Sequence, residues 1–108
     1  MLEQHPSEVQ ALLSGWFAAL AYMKREPADA AQRMGVRQQT SGAQFLEAQK
    51  GLHIPSREEN VAMIGGPRPE LAITGRRLMA LMVEAKLLRA NLDIESLLAP
   101  KPLLDLAQ

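Results

Sequence analysis

The feature that most constrains this chain is an apolar stripe near its start. Val9, Leu12, Leu13, Trp16, Phe17, Leu20 and Met23 recur at the three- and four-residue spacing of one helix face. A strand would bury every second residue and could not collect this set on one side. Pro6 suits a first helical position, where its missing N–H costs nothing. Glu8 near the start and Lys24–Arg25 near the end complement the helix dipole. These signals predict a helix over 6–25.

The same reading extends along the chain. Pro27 opens a second, short helix whose Ala28, Ala30, Ala31 and Met34 suit close packing on the first, an αα-hairpin with a minimal turn. Gly35 is placed at a left-handed helix stop, followed by a polar loop to Thr40. Ser41 with Gln44, and Ser56 with Glu59, have the spacing of capping boxes. They predict a third helix with Phe45, Leu46 and Ala48 inward, ended by Gly51, and a fourth over 57–64 carrying Val61 and Ile64. Leu52–Pro55 reads as an extended link, and Gly65-Gly66-Pro67 breaks the fourth helix. Pro69 opens a second long helix over 71–88, with Leu71, Thr74, Leu78, Leu81, Met82, Ala85 and Leu88 as its inward stripe and Asn91 as its stop. Asp93 caps one more turn, Ile94 to Leu98. Pro100 and Pro102 extend the tail, which Leu103, Leu104 and Leu106 attach to the surface. The expected fold is all-α: a small bundle of two long amphipathic helices plus three or four short ones, residues 1–108 forming a single helical segment.

Composition agrees and removes several functions. Hydrophobic residues are 47% of the chain but aromatics only 4%, so the core must be built mostly from Leu, Ala, Met, Ile and Val. Twelve basic residues balance twelve acidic ones, without the basic excess of a nucleic-acid binder; Glu70 and Glu84 flank even Arg76-Arg77. No cysteine is present, which excludes disulfides, thiol nucleophiles and Cys-ligated zinc. The first ten residues lack the basic start and apolar core of a signal peptide. The apolar stretch within 71–88 is interrupted by Arg76, Arg77, Glu84 and Lys86 and is not a membrane span.

No chemistry-bearing motif emerges. His5 and His53 lack a second His or a carboxylate at i+4, so no helical metal pair exists. None of Ser7, Ser14, Ser41, Ser56 and Ser96 lies in a G-x-S-x-G context. Glu58-Glu59 reads as first-turn dipole complementation. Gly65-Gly66-Pro67 lacks the preceding strand and the Lys of a phosphate loop, and Arg68, Arg76 and Arg77 read as a solvated helix face. Trp16 and Phe17 sit at core spacing, so packing is expected for both. The expectation is a non-catalytic chain with no metal and no cofactor, and with no ligand-binding residue assigned.

Three stretches carry a resemblance. "GWFAALAYMKREPADAAQRMG", "FLEAQKGLHIPSREEN" and "LMALMVEAKLLRANLDIESLLAPKPL" resemble, in order, the C-terminal part of solute-binding proteins of ABC importers of the nitrate/sulfonate/taurine class. Trp16, Phe17, Ala19, Leu20, Tyr22, Pro27, Ala30 and Ala31 match the first. Asn60 lies in the second. Leu78, Val83, Leu87, Leu88, Asp93, Leu97, Leu98, Pro100 and Leu103 match the third. Where that family often has a glycine before the terminal leucine pair, this chain has Lys86.

The resemblance implies the helical C-terminal part of a longer, two-lobed α/β binding protein. Such a protein is extracytoplasmic, captures a small anionic or heterocyclic solute by lobe closure, and delivers it to an ABC permease. No binding residue carries over to this chain. The alternative is a stand-alone helical interaction or dimerisation module, expected to form a homo-oligomer through the stripe of 9–23 or of 71–88.

Overall fold

A computed structural model describes residues 1–106. Six α-helices and one 3₁₀ turn form, with no strand among the described residues: α1 Pro6–Arg25, α2 Pro27–Arg37, α3 Gly42–Gln49, α4 Arg57–Ile64, α5 Glu70–Glu84, the turn Glu95–Leu97, and α6 Lys101–Leu104. The all-helical class is as the residue pattern predicts. Both capping boxes form. The Ser41 hydroxyl accepts from the Gln44 N–H at 3.2 Å, the Ser56 hydroxyl accepts from the Glu59 N–H at 3.1 Å, and each N3 side chain returns the bond. Glu26 alone separates α1 from α2, its N–H donating to Tyr22 O.

Two helix ends differ from the reading of the sequence. Gly35 does not stop α2; the helix continues to Arg37 and closes in a Schellman motif with Gln39 as the left-handed residue, φ 58°. There Thr40 N–H donates to Gly35 O at 2.8 Å and Gln39 N–H to Val36 O at 3.2 Å. Glycine is required at 35 for proximity instead. A Cβ there would lie 2.9 Å from the Thr40 carbonyl oxygen as the chain folds back over the helix end.

The second difference is that α5 stops at Glu84, well before Asn91. Its end repeats the motif: Leu87 N–H to Met82 O at 2.8 Å, Lys86 N–H to Val83 O at 3.0 Å, and Lys86 at φ 61°. A lysine in this conformation is strained by roughly 1–2 kcal/mol. Lys86→Gly is therefore expected to stabilise the fold by about 1 kcal/mol, raising Tm by about 5 °C in a thermal melt.

The tail is not extended. Pro100 stands at the N-cap of α6 and Pro102 inside its first turn, where neither ring loses a helical hydrogen bond. Leu103 is 4% exposed, a core residue rather than a surface attachment, where α6 packs against α1 and α4. Nor does the Asp93 side chain cap the 3₁₀ turn; Ser96 Oγ donates to the Asp93 carbonyl at 2.7 Å.

Packing is thin. Among the described residues the buried apolar side chains are Val9, Ala30, Ala31, Phe45, Ala72 and Leu103. The tightest layer is α2 on α3, where small residues face each other: a Cβ on Gly42 would approach the Gln32 backbone to 3.2 Å. The predicted small face of α2 thus receives α3 as well as α1. The radius of gyration is 17.8 Å, against about 13 Å for a compact domain of this length.

Candidate functional site

Among the described residues the polar side chains gather into three small clusters. His5, Ser7 and Glu8 meet at the start of α1, with Ser7 Oγ donating to the Glu8 carboxylate at 2.9 Å and His5 Nδ1 3.5 Å from its other oxygen. In a nucleophilic triad the imidazole stands between hydroxyl and carboxylate. Here the carboxylate stands in the middle and all three residues are exposed, so no proton can be drawn from the serine by the histidine. The Ser7 hydroxyl, foremost, holds the Glu8 carboxyl below its ordinary pKa.

His53 Nε2 lies 3.0 Å from Glu59, whose carboxylate also accepts from the Ser56 N–H at 2.7 Å. That backbone bond is the main reason the Glu59 pKa is lowered. A carboxyl depressed on folding contributes stability above its unfolded pKa, lost as pH falls through the folded value. Protection from amide exchange at Ser56 and over the first turn of α4, taken relative to the intrinsic rate at each pH, is therefore expected to fall on acidification below the usual glutamate range, and Glu59→Gln should remove that dependence.

A third polar group, spread across the α1–α2 corner, forms no recognisable sequence motif. The Tyr22 hydroxyl donates to the Asp29 carboxylate, which also receives Arg33 Nε at 2.8 Å. The Asp29 pKa is lowered and that of Tyr22 raised, each chiefly through their shared hydrogen bond. The group locks the corner that Pro27 begins. Arg25 adds a cation–π contact at 5.6 Å from the Tyr22 ring centroid.

Gly65, which ends α4, is tightly enclosed. A Cβ on it would meet Val61 O at 2.8 Å and Leu104 Cδ2 at 3.2 Å, so it is a close-approach position for α6. Arg76 pairs with Glu95. No group of three or more potential metal ligands occurs among the described residues, and no described helix is long and apolar enough to cross a membrane.

What the surface does offer is apolar. Trp16 is 52% exposed and Leu12 69%, contrary to the core placement expected of Trp16; only Val9 of the α1 stripe is buried, with Leu13, Phe17, Leu20 and Met23 half-buried. The stripe is wider than the one flank that α2, α6 and the neighbouring loops cover.

On α5 most of the predicted inward face is turned outward, and of that stripe only Met82 lies half-buried on the packed side of the helix. Leu71 is 40% exposed, Leu78 57% and Leu81 63%. The chain instead packs the side bearing Ala72, Gly75, Met79 and Met82. The reason is steric: at Gly75 a Cβ would lie 2.9 Å from Ile94 Cγ2, so this narrow side admits the returning chain where a row of leucines would hold it off.

No family model, curated protein or solved structure matches the chain. The likeness to the solute-binding proteins therefore rests on its sequence motifs alone.

Proposed function

We propose that this chain is a non-catalytic helical interaction module that works by self-association, covering the apolar faces its own fold leaves in water. The supporting observation is the exposed leucine row of α5, with Leu78 and Leu81 more than half accessible on a regular helix. Contiguous apolar surface of this kind tends to be covered in a complex. The total surface is 8597 Å², against about 5,950 Å² for a compact monomer of this mass. The difference exceeds the roughly 800 Å² per partner of a standard interface. Multi-angle light scattering across a concentration series is expected to show a dimer or larger species. A clean monomer at high concentration overturns the reading.

A second reading keeps the chain as the helical C-terminal part of an importer's solute-binding protein, the same faces then being covered by the α/β lobes. The left-handed Lys86, at φ 61°, favours it, because it occupies the position where that family often has a glycine. A reading frame continuing upstream of Met1 into two α/β lobes would support this alternative. So would a saturable Trp16 fluorescence response to sulfonates at micromolar concentration in the full-length protein.

A further inference from the structure

Granting the self-association reading, the pattern on α5 specifies how two copies meet. Leu71, Thr74, Leu78, Leu81 and Ala85 alternate in steps of three and four, the a/d spacing of a heptad seam, and all five are exposed. Glu70, Arg77 and Glu84 flank one edge of that seam, at the g positions. Neither Arg77 nor Glu84 has an ion-pair partner among the described residues, whereas Arg76, one position away, is paired with Glu95.

We propose that a second copy of this chain docks antiparallel along α5, with Leu78 of each copy against Leu81 of the other and Arg77 of each paired with Glu84 of the other.

The charges select this arrangement. In an antiparallel helix pair, g positions face g positions. Placing Leu78 against Leu81 sets Arg77 opposite Glu84 twice, once on each side of the two-fold axis, as an isologous contact requires. The same register brings Thr74 against Ala85, two small residues at the ends of a four-leucine centre. Slipping by one heptad puts Arg77 against Arg77 and Glu70 against Glu84, all like charges, which is destabilising. A parallel pair sets g against the following e position, so Arg77 would face Met82, and Glu84 would face Arg89, which lies beyond the end of α5. Antiparallel docking also opposes the two helix dipoles. The outer face of α1 carries no such information, since no charged residue lies between Val9 and Met23 to fix a register.

The test is sedimentation equilibrium at low salt, with far-UV circular dichroism confirming that each variant is folded. Arg77→Glu and Glu84→Arg are each expected to raise the dimer Kd about tenfold, since each turns two attractions into two repulsions. An equimolar mixture of the two variants, which restores opposite charges across the seam, is expected to recover association. Cysteine probes are independent of charge and meet no native thiol. Thr74→Cys mixed with Ala85→Cys is expected to give a mixed disulfide dimer, and Thr74→Cys alone little. A monomeric wild type sinks the self-association reading itself. An associating wild type whose Kd ignores both reversals, or Thr74→Cys cross-linking readily to itself, leaves that reading standing and overturns the antiparallel register.

Discussion

Replacing Phe45 by Ala is expected to lower the unfolding free energy by about 3–5 kcal/mol, while Trp16→Ala changes it by less than about 1 kcal/mol. The two side chains invert the usual ranking by size. Phe45 is 5% exposed and Trp16 52%. Phe45 is the one aromatic buried in the described structure, and it sits on α3 where that helix is laid against the small face of α2. Truncation there removes transferred apolar area and leaves a void that rigid helix backbones do not fill. With so few buried side chains elsewhere, a loss of this size is comparable to the whole stability of a small domain. Urea denaturation followed by circular dichroism decides the matter. A Trp16 variant as damaging as the Phe45 one would mean that Trp16 is covered within the folded chain.

The second large effect is expected at Leu103, where substitution by Ala should cost about 2–5 kcal/mol. It is the most buried leucine and the sole fully packed residue of α6. Around it α6 bridges α1 and α4, and Gln10 Nε2 donates to the Pro102 carbonyl in the same region. Losing this anchor should release the tail and expose the flanks of α1 and α4 together. Hydrogen exchange would then show protection falling at both helices, not at residues 101–104 alone. Exchange confined to the last turn would show instead that α6 is a dispensable appendage. Leu104→Ala, 47% exposed, is the control expected to have little effect.

Local structure was legible in the sequence wherever a short-range bond decides it. Ser56 and Glu59 are three residues apart, so their reciprocal capping needs nothing from the rest of the chain, and α4 falls on 57–64 as predicted. The same holds for Pro6 and Pro27 at helix starts and for Gly65-Gly66-Pro67 as a break. Helix ends were less legible. At Gln39 and Lys86 the backbone enters a left-handed turn with no glycine to announce it, because the Schellman hydrogen bonds and the returning chain outweigh the residue's own preference.

The candidate interface was half legible. The seam of Leu71, Thr74, Leu78, Leu81 and Ala85 is visible as spacing, but spacing defines an apolar face without saying which neighbour covers it.

The sequence alone determined that this chain is helical, roughly where each helix begins, and that it carries no cysteine. Those are matters of period, capping and residue type, all local. Only the tertiary structure decided which side of each helix is used. On α5 the choice went to the narrow side bearing Ala72 and Gly75, since close approach of Ile94 is sterically possible only there. The leucines were left facing water, and a contact between distant segments made that selection.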